Sequence, residues 1–280
     1  MSTIIGQSKF LERVYTLQNN FPTFVILEGA KGQGKKTVAK ELSKILGYRM
    51  LTIGTKIDDI REMIANTGSL SVPTIYFIPD ADNMSVGAKN SLLKITEEPP
   101  KNLYIVLTLQ HRENTLSTIR SRATVLELDN YTRNQLEEYL IMNYPVMEPD
   151  LKDELLDYVD NPGEIDDLMS IGIQEFLDYV YKVFDNILEV STGNSFKIPN
   201  QFKFKEDDKG YPVQIFLKIF ERVCISAIDP RQFPDVTLEQ IETIAEMIRI
   251  TNKALNELNT RGINKKSVID LWILDIRRLR

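Results

Sequence analysis

Cysteine is nearly absent. Cys224 stands alone among 280 residues, which excludes an internal disulfide and any cysteine-based zinc site and fits a reducing compartment. Histidine is as scarce: His111 is the only one, and it follows an apolar run, where it reads as a loop residue rather than a ligand. No run approaches 18 apolar residues, and Met1-Ser-Thr-Ile-Ile-Gly6 has neither the basic flank nor the apolar centre of an export signal. The expectation is a soluble, cytoplasmic protein with no membrane partner. A basic excess is missing too. The 34 Lys and Arg against 40 Asp and Glu give a net charge of −6, without the global footprint of a nucleic-acid binder. Internal repeats and low-complexity tracts are also lacking.

What the chain does have is a globular balance, 42% apolar and 26% charged, and length for two or three compact units. Up to about Asp129, short β-rich runs alternate with helical patterns, the signature of a parallel sheet covered by helices. The runs predict strands at Phe24–Glu28, Met50–Ile53, Thr74–Ile78, Leu103–Leu109 and Thr124–Leu128. The helix after Gly34 should stop near Gly47, and the one ending Glu97-Glu98 is stopped by Pro99-Pro100. Beyond Tyr131 the pattern is helical, punctuated at Tyr144-Pro145, Glu148-Pro149-Asp150 and Asn161-Pro162-Gly163. Nine acids and one lysine fall between Glu148 and Asp167 and read as a solvated helix surface rather than a partner site. Residues 191–211, with Phe196, Phe202 and Phe204 before Asp207-Asp208-Lys209-Gly210, read as a loop or a β-hairpin. Thr237-Leu-Glu-Gln240 is a capping box. The last helix, Ser267 to about Arg278, is apolar nearly all round and should be buried on most sides, either in its own domain or against another subunit.

Gly29-Ala-Lys-Gly-Gln-Gly34-Lys35-Lys36-Thr37 follows an apolar strand and opens a helix, the context of a phosphate-binding loop. In such loops Gly29, Gly32 and Gly34 would let backbone N–H groups curl around phosphates while Lys35 neutralises their charge. The next residue should be the Ser or Thr that holds Mg²⁺, yet it is Lys36, and Thr37 is one position out of register. After the third strand Pro79 falls where a metal-binding Asp belongs, leaving Asp80 at the place of the water-activating carboxylate. Both losses fall at the metal, so efficient hydrolysis is not expected. The loop reads either as a phosphate cradle without hydrolysis, with ATP or ADP as its ligand, or as a strand-to-helix turn that keeps its glycines for backbone geometry. No metal site and no zinc are expected.

At Asp80-Ala-Asp-Asn-Met84, Ala88-Lys-Asn90, Leu92-Leu-Lys-Ile-Thr-Glu-Glu-Pro-Pro100 and Thr118-Ile-Arg-Ser-Arg122 the chain resembles the AAA+ clamp-loader subunits of bacterial DNA polymerase III. Lys56-Ile-Asp-Asp-Ile-Arg61 and Gly262-Ile-Asn-Lys265 narrow the resemblance to the delta prime type. It implies an α/β and then all-α chain: an AAA+ P-loop domain over residues 1–128 with a parallel five-stranded sheet in the order 5-1-4-3-2, a helical lid over 129–172, and a helical collar over 173–280. It implies that Ile4-Ile5-Gly6-Gln7 packs near an adenine and that Thr108 lies near the sensor position. Arg122, in trans, would reach the γ-phosphate held by a neighbouring subunit; with Arg120 beside it, one of the two is an ordinary surface arginine. The implied role is a non-hydrolysing or weakly hydrolysing stator. Its partners would be clamp-loader ATPase subunits, a sliding clamp, and primer-template DNA through the assembled complex. Lys31, Lys35, Lys36, Lys40, Lys44 and Arg49 are the basic group from which a weak DNA contact is expected.

The chain departs from the family in three places. Ala123 replaces the cysteine that follows the arginine, the four-cysteine zinc module has no residues here, and Asn161-Pro-Gly-Glu-Ile165 lies where active relatives present a lid arginine. The alternatives are an active AAA+ ATPase such as a helicase loader, against which Lys36 and Pro79 speak, and a small-molecule P-loop kinase, which has no use for the Ser-Arg motif.

Overall fold

The protein is described by a computed structural model that covers residues 4–188, 197–204, 210–231, 233–258, 260 and 263–279. Continuous apolar runs bounded by turn residues become the strands of a parallel sheet. These are β1 (Phe24–Glu28), β2 (Arg49–Thr52), β3 (Thr74–Ile78), β4 (Leu103–Leu109) and β5 (Thr124–Glu127). They pair in the order β2-β3-β4-β1-β5, every pair parallel, which is the expected 5-1-4-3-2 read from the other edge. The central three, β1, β3 and β4, are buried on both faces.

Alternation along β1 sorts the core into two layers. Phe24 and Ile26 point to one face of the sheet, where they join Ile60 and Met63 of α3 (Ile57–Ala65) and Ala88, Leu92 and Ile95 of α4 (Val86–Glu97). Val25 and Leu27 point to the other, against Phe10 and Val14 of α1 (Ser8–Leu17) and Val38, Ala39 and Leu42 of α2 (Lys35–Leu46). Gly47 ends α2 in the left-handed conformation, φ 68°, as glycine does at helix ends. A single turn, α5 (Ser117–Arg120), precedes β5 and is anchored by fully buried Ile119.

After the sheet come α6 (Arg133–Asn143), opened by a capping box of Thr132 and Gln135, then α7 (Pro149–Tyr158) and α8 (Pro162–Ile171). The chain packs as two units, one comprising residues to Leu156 with Asp160–Gly163 and the other Asp157–Val159 with Glu164 onward.

The second unit contains α9 (Ile173–Asn186), α10 (Val213–Ala227), α11 (Leu238–Leu258) and α12 (Lys265–Arg277). Trp272 is its hub: edge-on to Phe216 and Phe220, with centroids 5.7 and 5.0 Å away, it donates its indole N–H to Thr251 Oγ1 at 3.0 Å. The Thr237–Gln240 capping box forms, Gln240 N–H donating to Thr237 Oγ1 at 3.3 Å and Thr237 N–H to Gln240 Oε1 at 3.0 Å.

On helix α12, Val268, Ile269, Trp272, Ile273 and Ile276 face the core of the unit, while Leu271 and Leu274 are 55% and 38% exposed, so burial within its own unit reaches one face of the helix. One expectation needs correction. Within 191–211, β6 (Phe202–Lys203) and β7 (Tyr211–Pro212) pair in parallel, so they are not a hairpin. Gly210 allows the approach, since a Cβ there would meet Gln201 O at 2.5 Å. Phe196, Asp207-Asp208-Lys209 and Gly262 lie outside the described residues.

Candidate phosphate loop and arginine site

The loop between β1 and α2 is held by its own chain. Gln33 folds back, its Oε1 accepting the Ala30 N–H at 2.6 Å while its Nε2 donates to Asp129 O at 2.9 Å. Tyr131 covers the loop from the side, its hydroxyl donating to Gln33 O at 3.4 Å, and burial pushes that phenol above its usual range. Gly32 and Gly34 are left-handed, φ 83° and 86°, which is why glycine stands at both. Gly32 also meets the start of α8: the Gly163 N–H donates to Gly32 O at 3.0 Å, and a Cβ on Gly32 would collide with Asn161 Oδ1. Gln7, buried, clamps Asp129 through both backbone groups, at 2.9 and 2.8 Å. Gly6 takes φ 78° with Tyr131 against it.

Lys35 is buried and turned inward, its Nζ donating to Gly29 O at 2.5 Å and Ala30 O at 2.8 Å. Burial is the main force pulling its ammonium below the usual lysine range; Asp80 and Asp82 pull the other way and Lys36 adds to the lowering. Lys36 points toward the end of β3, where its Nζ lies 3.2 Å from Asp80 Oδ2. Asp80 is itself left-handed, φ 52°, a conformation Asp tolerates better than most residues. It is fixed there by Thr108, fully buried, whose Oγ1 accepts the Asp80 N–H at 2.8 Å. Thr37 is exposed. Gly29, Gly32, Gly34, Lys35, Lys36, Asp80 and Thr108 therefore do converge at one end of the sheet. Their donor set does not suit a magnesium-bound nucleotide: a lysine stands in the hydroxyl position, and neither it nor Pro79 offers a ligand. Among the described residues no three His, Cys, Asp or Glu cluster as metal ligands.

At the neighbouring strand ends Arg112 ties β1, β4 and β5 together. Its Nε lies 2.8 Å from Glu28 Oε2, its N–H donates to Glu28 Oε1 at 2.8 Å, and its guanidinium also bonds Glu127. Arg122 follows α5 with its side chain 33% exposed, its terminal nitrogens donating to Thr118 O at 2.7 Å and to Glu97 Oε1. Arg120 is looser, 4.0 Å from Glu113.

The six basic residues expected to contact DNA differ in their surroundings, with Lys31 and Lys40 exposed. Lys35 is internal, Lys36 is paired with Asp80, Lys44 is paired with Glu41 at 3.1 Å, and Arg49 opens β2 at the far edge of the sheet. Sequence reasoning does not find Gln33, Asp129, Tyr131, Gly163 or Arg112. Asn161-Pro-Gly carries a visible turn signal, but nothing local ties it to Gly32; Gln33 and Tyr131 carry no signal of their own.

Residues 49–132 match the protein family described as DNA polymerase III, delta subunit. That span holds Asp80, Thr108 and Arg122 and leaves out the phosphate loop. The chain is 36% identical over 86 residues to the delta prime subunit of DNA polymerase III from Bacillus subtilis, covering 31% of this chain and 26% of that one. It is 29% identical over 173 residues to the gamma subunit from Buchnera aphidicola subsp. Schizaphis graminum, covering 49% and 47%. The matches thus span between about a quarter and a half of these relatives. In fold, the chain superposes on a mutant of RuvB from Thermotoga maritima with TM-score 0.51 at 19% identity, covering 96% of this chain and 89% of that one. The resemblance to DNA polymerase III subunits, delta prime among them, holds over the matched spans, and the fold is the one shared with RuvB.

Proposed function

We propose that this chain is the delta prime-like stator of a clamp loader. In this reading it neither hydrolyses ATP efficiently nor needs to, and it offers Arg122 in trans to a neighbouring ATPase subunit while a sliding clamp is loaded onto primed DNA. The observation that carries the first half is the Lys36–Asp80 pair. An ammonium sits 3.2 Å from the carboxylate at the water-activating position, and the two residues that would hold magnesium are replaced by Lys36 and Pro79, so the double charge of the metal gives way to a single fixed charge. Phosphoryl transfer depends almost wholly on positioning and charge stabilisation around that metal, so its loss removes most of the catalytic means.

The second half rests on chemistry at the other end of the first unit. A planar guanidinium brought from outside stabilises charge on the transferred phosphoryl group. Arg122 stands in the Ser-Arg motif and is partly exposed. An active motor would need the hydroxyl and the carboxylate that Lys36 and Pro79 replace. The exposed leucines of α12 are the surface this reading assigns to a shared collar. Co-purification with a candidate clamp-loader ATPase from the same genome tests the proposal. It expects a stable complex whose ATP turnover, with clamp and primed DNA, depends on this chain; no association would contradict it.

A further inference from the structure

Arg122 is not a loose surface side chain. Its backbone N–H donates to Ile119 O at 3.1 Å, and Ile119 is fully buried against the layer that includes α4. Its side chain is then held at two points, Thr118 O by one terminal nitrogen at 2.7 Å and Glu97 Oε1 by the other. Glu97 is just as well placed. It is the last residue of α4, a helix whose start is fixed by Ser85 accepting the Ala88 N–H at 3.1 Å and whose end is set by Pro99-Pro100. Arg120, two residues earlier, has only a 4.0 Å approach to Glu113.

We propose that Glu97 is a positioning residue for Arg122: it orients the guanidinium so that its remaining N–H groups face outward for an anion on a neighbouring subunit. The inference rests on the reading of Arg122 as an arginine acting in trans. A guanidinium has five N–H donors in a rigid fork, and one bond from each terminal nitrogen fixes its plane while leaving the rest of the fork free. An unrestrained arginine would have to give up its rotamer freedom when the anion arrives; here that ordering is already done. At 33% and 51% side-chain exposure the pair contributes little to stability, so its effect falls on geometry rather than folding.

The test has two arms, both on the full chain. In the first, phenylglyoxal labelling of Arg122 is followed by peptide mass spectrometry, with Arg120 as the internal reference. Glu97→Gln, which keeps size and removes charge, should speed Arg122 labelling about two- to fivefold, the range an exposed ion pair allows, and leave Arg120 unchanged. In the second, the complex with the clamp-loader ATPase, clamp and primed DNA is assayed for ATP turnover. Glu97→Gln should lower kcat about two- to tenfold at unchanged KM, the signature of lost transition-state positioning. Glu97→Gln combined with Arg122→Ala should be no slower than Arg122→Ala alone. Equal Arg122 labelling in both chains would overturn the inference. So would unchanged kcat for Glu97→Gln where Arg122→Ala lowers it, or additive losses in the double variant. If Arg122→Ala itself changes nothing, the trans-arginine reading falls and the positioning role with it, while the labelling arm still reports whether Glu97 holds Arg122.

Discussion

Gly163 donates its backbone N–H to the carbonyl of Gly32 at 3.0 Å, and a Cβ on Gly163 would overlap Gly32 Cα. The phosphate loop and the first turn of α8 meet at these two glycines, and neither tolerates a side chain. Gly163→Ala should therefore cost about 1–3 kcal/mol, the usual penalty for forcing a methyl into a filled contact. Gly32→Ala should cost at least as much, because its positive φ of 83° adds backbone strain of about 1–2 kcal/mol. Denaturant unfolding of the two variants measures both. A Gly34→Ala control, with Tyr131 Oη at 3.5 Å from its Cβ position, should show the strain without the clash.

The Lys36–Asp80 pair predicts a separation of stability from chemistry. With 63% and 53% side-chain exposure, its removal in Lys36→Thr should change stability by less than about 1 kcal/mol. The unaltered chain should turn over ATP no faster than Lys35→Ala, far below the roughly 1 s⁻¹ at the low end of typical enzymes. Lys36→Thr with Pro79→Asp should acquire Mg²⁺-dependent nucleotide binding, read by titration with and without chelator. Robust turnover by the unaltered chain would show that the ammonium does not disable the site.

Much of the first unit is legible because its strands are continuous apolar runs between turn residues. The predicted limits of β1, β3 and β4 coincide with those observed. The pattern places β2 one residue late, at Met50–Ile53, because an edge strand that runs exposed-intermediate-intermediate-exposed carries a weaker signal than a central one. The loop's departures, Lys36 and Pro79, are legible because they are failures at fixed positions in a known spacing. What stays hidden are contacts between residues far apart in the chain: Gly32 with Gly163, Gln33 with Asp129, Glu97 with Arg122. Each involves a residue type common on surfaces, and only the fold brings the partners together. In helix α12, too, apolar content alone does not say which leucines find a neighbour within the unit.

Cys224 provides a pH-dependent check on the second unit. It is fully buried, and burial first, then the charge of Glu221, pushes its thiol up to about 12 from 9.0. A folded-state pKa raised above the unfolded one means that the unfolded chain loses its proton first. This contribution to stability is complete below about pH 9 and is lost as pH rises toward about 12. Cys224→Ala should flatten that part of the stability profile, leaving the loss to groups such as Tyr48, whose phenol is also pushed up to about 12, by burial and by its bond to Tyr104. At pH 8 a thiol reagent should label Cys224 only as fast as the unit unfolds.

The exposed leucines of α12 predict a surface whose loss spares folding. Leu271→Asp and Leu274→Asp should each shift stability by no more than about 0.5 kcal/mol, as substitutions at exposed positions do, yet reduce co-purification with the clamp-loader ATPase. Trp272→Ala, which empties a fully enclosed site, should cost about 3–5 kcal/mol. Unchanged assembly in the leucine variants would move the collar contact elsewhere.

The central claim is that this chain acts on a neighbour's nucleotide through Arg122. The direct measurement is the steady-state ATP turnover of the reconstituted complex, with clamp and primed DNA, carrying either the unaltered chain or Arg122→Ala, after gel filtration has shown equal assembly. The account predicts a fall in kcat of about tenfold or more, as loss of a trans arginine produces, with no recovery in Arg122→Lys, which lacks the planar fork. Full turnover with Arg122→Ala in an intact complex would contradict it.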